Sequence, residues 1–182
     1  MLLGPFSILI AWLVYWVVYF KSDRTGHTTL SSVVASNQRN YWLFCIGLVA
    51  SGIFFFVFAR NWLVSELQLP RVFLYIVGIA ALFFQSIIAV VPMKGKYKMM
   101  AHNVAAYGEC TLMPVVAIFV AQSRALPMVV RAICWALVVF MLYLVVEFKR
   151  NFLKPRFIKV QAAFSASFHA IILLAIVTKT LN

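Results

Sequence analysis

Six long apolar runs follow one another along this sequence, and they constrain its fold more than any other feature. Each run is close to the roughly 20 residues that an α-helix needs to cross about 30 Å of hydrocarbon. The runs are Leu2–Phe20, Tyr41–Ala59, Val72–Val91, Met99–Ala121, Met128–Phe148 and Val160–Leu181. Because the segments between them are short, no separate soluble domain fits. The sequence therefore predicts an all-α, polytopic membrane protein, a bundle of six transmembrane helices in a single domain over residues 1–182.

The composition agrees with a chain that lies in a bilayer. Apolar residues make up 65% of it and charged residues 11%, whereas soluble domains average about 45–50% and about 25%. The first run lacks a basic n-region and a small-residue cleavage site, so we expect an uncleaved helix and not a signal peptide. Cys45, Cys110 and Cys134 lie inside predicted helices without a CxxC neighbour, which predicts buried thiols.

The net charge of +12 is distributed unevenly between the two sides of the predicted bundle. Eleven basic residues fall in the loops between helices 1 and 2, 3 and 4, and 5 and 6: Lys21, Arg24, Arg39, Lys94, Lys96, Lys98, Lys149, Arg150, Lys154, Arg156 and Lys159. Positive residues in short loops favour the cytoplasmic side, so both termini are predicted to be non-cytoplasmic. Topology alone explains the charge, and no nucleic-acid partner is expected.

The loop KRNFLKPRFIK is the densest basic cluster. Cations beside a membrane bind anionic headgroups, each adding about 1 kcal/mol near the surface. The candidate headgroup-binding residues are Lys149, Arg150, Lys154, Arg156 and Lys159. The alternative is that these cations only anchor the topology.

Polar residues inside the fourth and sixth runs form the candidate site. At about 100° per residue, His102 and Glu109 share one face of helix 4, separated by roughly 10 Å along its axis. Asn103 lies on the flank of that face. In helix 6, Ser165 and His169 follow each other at a spacing of four residues and so lie on one face.

A mid-membrane charge costs about 2.5–3.5 kcal/mol on insertion scales, so Glu109 must be neutral or find a partner. Counted from the basic side, Glu109 and His169 lie at nearly the same depth. We therefore expect a Glu109–His169 hydrogen bond that shares one proton at the centre of a pocket between helices 3, 4 and 6. Gln85, His102 and Asn103 are expected to line its cytoplasmic mouth.

Other interpretations of these residues stay open. The pair of Glu109 and His169 also suits a packing contact that fixes helix register without any ligand. No metal site is expected, because only His102, Glu109 and His169 qualify as ligands where three or four are needed. Ligation of haem b by His102 and His169 is a weaker alternative, since their expected depths differ by about two turns. Catalytic motifs are absent, so an enzyme is not expected.

Two segments resemble a known membrane protein family. TLSSVVASNQRNYWLFCIGLVASG and VVPMKGKYKMMAHNVAAYGE are similar to the six-helix family of the damage-regulated autophagy modulators and their prokaryotic relatives. The matching elements are a polar loop after helix 1, here Ser31–Asn40, and a histidine, His102, that opens helix 4 after a turn containing Pro92. The paired cysteines that some members carry in the first loop are absent. The resemblance implies six helices and a role in membrane lipid organisation or lipid-anchor remodelling.

Together these features predict a membrane protein that binds a lipid or small amphiphile in a polar intramembrane pocket. Its basic loops would contact anionic headgroups on the cytoplasmic side. The first alternative is a proton-coupled transporter or channel with an intramembrane Glu–His site. The second is a structural subunit of a larger membrane complex, with partner membrane subunits.

Overall fold

A computed structural model describes residues 2–21, 34, 38–91, 96–151 and 157–181. In these ranges the regular structure is helical throughout, without a strand, and it is dominated by six long helices. They are α1 (Leu3–Lys21), α2 (Gln38–Leu67), α3 (Val72–Val90), α4 (Lys96–Gln122), α5 (Met128–Asn151) and α6 (Phe157–Leu181). The all-α prediction is confirmed.

Five to six of these helices are suited to a membrane. Helices α2 to α6 are long and apolar enough to cross a bilayer, and α1 adds the shorter apolar stretch Leu3–Val17. Large apolar side chains also remain exposed on the outer surface, where a water-soluble protein rarely gathers them. On α5 the exposed set includes Val129, Ile133, Val139, Phe140, Leu142 and Val146. The outer face of this helix is therefore suited to hydrocarbon.

The second helix extends beyond the predicted end at Ala59. It passes Arg60 through the π-helical stretch Ala59–Leu63 and ends at Leu67. Leu63 and Leu67 lie four residues apart on one face, and both are fully buried in the core. Their burial holds the last turns in helical form. Gln68 then ends the helix with a left-handed φ of 52°.

Five helices form a ring in the order α1, α2, α3, α4, α6, and α6 returns to α1. Helix α5 packs outside this ring, against α4 and α6. The contact between α1 and α6 is the least extensive around the ring. Successive helices are antiparallel, so the helix ends that adjoin the basic predicted loops all lie at one end of the bundle, which we call the basic end.

Close approach between α1 and α2 depends on small residues. Ser7 Oγ donates a hydrogen bond to the Ser51 carbonyl at 2.8 Å, and Ser51 Oγ donates to the Ser7 carbonyl at 3.0 Å. One Cβ added at Gly47 would lie 2.2 Å from Val14 Cγ2. The absence of side chains at such positions lets helix backbones pack closely.

Side-chain donors and a glycine hold α2 against α3. Gln85 Nε2 donates to the Leu48 carbonyl at 2.8 Å, and Cys45 Sγ donates to the Ala89 carbonyl at 2.7 Å. At Gly52 a Cβ would lie 2.2 Å from the Ala81 carbonyl oxygen. Ala81 belongs to the π-helical stretch Gly78–Phe84 in α3. A glycine is therefore required at position 52 for these two helices to meet.

Candidate functional site

A cavity of about 360 Å³ lies inside the ring of helices. Its walls come from α1, α2, α3, α4 and α6, and in the described ranges α5 contributes only Phe148. The pocket was predicted between helices 3, 4 and 6, and all three line the cavity, with α1 and α2 as further walls that were not predicted. Helices α1 and α2 complete the wall because α1 lies between α2 and α6 in the ring.

All six residues of the predicted ligand or proton site line this cavity. They are Gln85 from α3, His102, Asn103 and Glu109 from α4, and Ser165 and His169 from α6. The structure thus brings together side chains from three helices that the sequence separates by up to 84 positions. Their role as a binding site stays a prediction.

Three polar or amphipathic residues mark the mid-depth level of the cavity. Glu109 lies thirteen residues from either end of α4, and His169 lies twelve residues from either end of α6. Trp12 lies nine residues from either end of α1. Each is the central residue of its helix, and all three line the cavity. We call this set, Trp12, Glu109 and His169, the central level.

The partner of His169 is Trp12 and not Glu109. Trp12 Nε1 donates a hydrogen bond to His169 Nδ1 at 2.9 Å, and the two rings meet edge to face. The predicted hydrogen bond between Glu109 and His169 was wrong, because the hydrogen-bond partner of His169 is the Trp12 indole of α1, which lies beside α6. An indole N–H only donates, so Nδ1 must carry a lone pair. A neutral His169 therefore has its proton on Nε2.

The Glu109 carboxyl group has no hydrogen bond or ion pair to any residue in the described part of the chain. Two groups lie near enough to interact with it electrostatically, the Tyr15 phenol and the Cys110 thiol. Tyr15 in turn contacts the Ser165 hydroxyl. The carboxyl group thus belongs to the cavity lining and lies near a phenol and a thiol.

The second level of the cavity lies toward the basic end. His102 is 3% exposed, and its Nδ1 is 2.9 Å from the Val91 carbonyl, just past the end of α3. A carbonyl only accepts, so His102 Nδ1 carries a proton and donates. Asn103 and Gln161 line the same level, and the Gln161 Oε1 atom is buried without a hydrogen bond. His102 therefore holds α3 to α4 in addition to lining the cavity.

Of the five predicted headgroup-binding residues, three are described. Lys149 and Arg150 are exposed near the end of α5, where Arg150 forms an ion pair of 3.2 Å with Glu147. Lys159 is exposed in the first turn of α6 and also lines the cavity. Lys154 and Arg156 lie outside the described residues. Among the described basic residues, Lys159 is therefore the one that lies both at the basic end and in the cavity lining.

Metal chemistry requires a cluster of ligands. Across the described ranges, no three His, Cys, Asp or Glu side chains come close enough together to hold a metal ion. Cys45 and Cys134 are buried free thiols, and Cys110 is a half-buried free thiol. The haem alternative stays a prediction. Its two histidines differ in depth, since His102 lies roughly 10 Å along α4 from the level of Glu109 and His169.

The contribution of the first helix to the cavity was not predicted from the sequence. Trp12, Tyr15 and Trp16 of α1 all line the cavity. One signal was present, because Trp12 lies one residue from the centre of its apolar run, Leu2–Phe20, and not at its end. Hydropathy alone does not reveal which helix a central tryptophan faces.

Comparison with known proteins gives no relative from which a function can be transferred. No family model, no curated protein and no solved structure matches this chain. The resemblance to the damage-regulated autophagy modulators stays a prediction, and the site has to be interpreted from its own geometry.

Proposed function

We propose that this protein spans a membrane with six helices and binds a lipid or small amphiphile in its central cavity. Its role would be in membrane lipid organisation. The observation that carries the proposal is the cavity itself, which has polar side chains at mid-depth inside a bundle whose outer surface is apolar. A polar centre surrounded by apolar walls suits a ligand that has both characters.

Charge supports the orientation in this proposal. Eleven of the 16 basic residues belong to the three predicted loops at the basic end. The positive-inside rule then puts the basic end in the cytoplasm and both termini on the other side. Exposed Lys149 and Lys159 would lie at the cytoplasmic surface, where they would contact anionic headgroups.

The dimensions of the cavity support a small ligand. Pockets for small molecules enclose about 300–1,000 Å³ and combine apolar walls with a few polar groups. Here the cavity of about 360 Å³ falls at the lower end of that range. Its apolar lining includes Phe44, Phe55, Phe164 and Phe168. This volume fits one alkyl chain with a compact polar group better than a complete two-chain phospholipid.

A cavity-filling variant tests this function. Ala106 lines the cavity one turn from Glu109, so Ala106→Phe should place a ring in the ligand volume. Ala136 is exposed on α5, outside the ring, and Ala136→Phe is the matched control. We expect Ala106→Phe to reduce binding of alkyl probes to nanodisc-embedded protein at least about tenfold, the loss of about 1.4 kcal/mol. Equal binding by both variants would refute the proposal.

A second function is favoured by one observation. Glu109 is the central residue of α4 and has no hydrogen-bond or ion-pair partner among the described residues, and ionisable residues inside transmembrane bundles often serve as proton-relay sites. In proteoliposomes, such a transporter would show substrate flux driven by a pH gradient and abolished by Glu109→Gln. Flux that is indifferent to this substitution would remove the transport candidate and leave the binding proposal intact.

A further inference from the structure

We propose that the amphiphile held in the cavity carries a protonated amine, and that the Glu109 carboxylate binds it. This inference rests on the proposed function, since it names the chemical class of the ligand of the same site. It is carried by three features of the cavity: an acidic group without a counterion, a histidine whose hydrogen bond makes it neutral, and aromatic rings at the same level.

Among the described residues that line the cavity, Glu109 is the one acidic residue, and Lys159 is the one lysine or arginine. Lys159 cannot neutralise Glu109, because the two lie at different depths. Lys159 precedes His169, which shares the level of Glu109, by ten residues in α6. That spacing corresponds to roughly 15 Å along the helix axis. Among the described residues, no protein cation therefore lies beside the carboxylate at the central level.

The adjacent histidine does not supply the missing charge. His169 Nδ1 accepts the 2.9 Å hydrogen bond from the Trp12 indole. A doubly protonated imidazolium has no lone pair with which to accept it. As long as the Trp12–His169 hydrogen bond exists, His169 is neutral and is not the counterion of Glu109.

An ammonium group on the ligand would satisfy Glu109. A carboxylate removed from water is costly unless it is paired and hydrogen-bonded, and an alkylammonium offers both a charge and three N–H donors. Trp12 and Tyr15 add electron-rich ring faces at this level, which attract cations. An alkyl chain attached to the nitrogen would then occupy the apolar lining.

A neutral Glu109 that binds an alcohol is the competing chemistry, and a carboxylate ligand directed to Lys159 is another. Three probes with the same alkyl chain separate these cases: dodecylamine, dodecanol and dodecanoate. Each would be measured by displacement of tritiated dodecylamine from the full-length protein in phosphatidylcholine nanodiscs. We expect the amine to bind at least about tenfold more tightly than the alcohol or the acid, as a charge-assisted hydrogen bond implies.

The variant arm uses Glu109→Gln, which keeps the shape of the side chain and removes its charge. Amine affinity should fall about tenfold and alcohol affinity should change little. Glu66→Gln is the matched control, because Glu66 lies outside the cavity lining, at the end of the bundle away from the basic end. Its carboxylate is 4.0 Å from the Lys179 ammonium. The amine affinity of Glu66→Gln should equal that of the wild type. The ranking of the three probes on the wild type needs no variant, so it stands even if Glu109→Gln folds poorly.

The outcomes separate this inference from the proposed function. If the alcohol or the acid binds as tightly as the amine, or if folded Glu109→Gln retains full amine affinity, the amine inference is overturned while amphiphile binding stands. If none of the probes binds, or if Ala106→Phe leaves probe affinity unchanged, the proposed function fails and the inference fails with it.

Discussion

The two described histidines carry protons on different ring nitrogens, because their partners differ in hydrogen-bonding character. His102 Nδ1 faces the Val91 carbonyl, which only accepts, and His169 Nδ1 faces the Trp12 indole, which only donates. His102 must therefore be protonated at Nδ1 and His169 at Nε2. Both histidines therefore link two helices, and His169 in addition keeps an Nε2–H group that its bond to Trp12 does not use.

Nitrogen NMR of histidine-labelled protein tests this assignment. We expect one imidazole with an unprotonated Nδ1, assigned to His169, and another with a protonated Nδ1, assigned to His102. Replacing the indole donor in Trp12→Phe should shift the His169 signals alone. Trp135→Phe is the control, because Trp135 lies on α5 and outside the cavity lining. A protonated Nδ1 on both rings would contradict the Trp12–His169 contact.

The same tryptophan should affect ligand affinity. Without its indole donor, His169 loses one hydrogen bond and its fixed ring orientation. A typical hydrogen bond contributes about 0.5–1.5 kcal/mol, so Trp12→Phe should weaken dodecylamine binding about two- to tenfold. The measurement is the displacement assay in nanodiscs, with Trp135→Phe again as control. Unchanged affinity in Trp12→Phe would mean that the orientation of His169 has no part in binding.

At the scale of elements, close helix contacts are made by glycines and by polar side chains that donate to backbone carbonyls. Three positions of α2 meet successive turns of α3. The Cys45 thiol donates to a carbonyl of α3, the Leu48 carbonyl accepts from Gln85, and Gly52 packs against the backbone. At the far end of α2, the Ser123 hydroxyl donates to the Leu67 carbonyl at 2.7 Å. That carbonyl belongs to the last turn of α2, where helical partners are missing. The packing of α2 is therefore specified along its whole length.

Substitution of Gly52 should separate helices α2 and α3. In Gly52→Ala the new Cβ would meet the Ala81 carbonyl oxygen at 2.2 Å, and backbone cannot rotate away as a side chain can. Overpacking of this kind costs about 1–3 kcal/mol of unfolding free energy. Gly78→Ala is the control, since its Cβ would first meet Phe56 at 3.4 Å, and alanine favours helix by about 0.5–1 kcal/mol. Thermal unfolding should rank Gly52→Ala below wild type and Gly78→Ala at or above it; the reverse order would contradict this packing.

Removal of the Ser123 hydroxyl should leave a buried carbonyl without a partner. We expect Ser123→Ala to lower the free energy of unfolding by about 1–3 kcal/mol. Ser65→Ala provides the comparison, because the exposed Ser65 hydroxyl bonds within its own helix to the Trp62 carbonyl. That change should stay within about 0.5 kcal/mol. Equal effects in a denaturant titration would show that Ser123 does not stabilise the end of α2.

Helix positions were largely predictable from the sequence, and helix ends were less so. Hydropathy determines which segments can be buried in lipid, so all six apolar runs correspond to helices. The end of α2 was misplaced because Arg60 interrupts the apolar run, although burial of Leu63 and Leu67 continues the helix. The π-helical stretches have no recognisable signal in the sequence, since one extra residue per turn depends on the packing of neighbouring helices.

On the scale of the whole molecule, ring order explains both the cavity and the error in predicting it. Counting residues along each helix predicted that Glu109 and His169 share a depth, and each is the central residue of its helix. It gave no information on which helices are neighbours. The placement of α1 between α2 and α6 brings Trp12 to His169 and leaves Glu109 facing the cavity. Neighbour relations depend on contacts between distant segments, which one sequence does not reveal.

Orientation in the membrane is testable with single cysteines. Gln68 is exposed between α2 and α3, and Lys149 is exposed near the end of α5 at the basic end. In a variant lacking the native cysteines, Gln68→Cys should react with an impermeant maleimide applied to intact cells, and Lys149→Cys only after permeabilisation. This pattern follows from the positive-inside rule. The opposite pattern would reverse the proposed topology.

Photo-crosslinking of a bound amphiphile tests the central claim most directly. An alkylamine that carries a diazirine in its chain would be activated in nanodiscs that contain the protein, and the labelled residues identified by mass spectrometry. We expect labels on cavity-lining residues such as Met113 and Phe168, and we expect excess dodecylamine to prevent them. Labels confined to the outward face of α5, at residues such as Val139 and Phe140, with no competition by dodecylamine, would contradict the account.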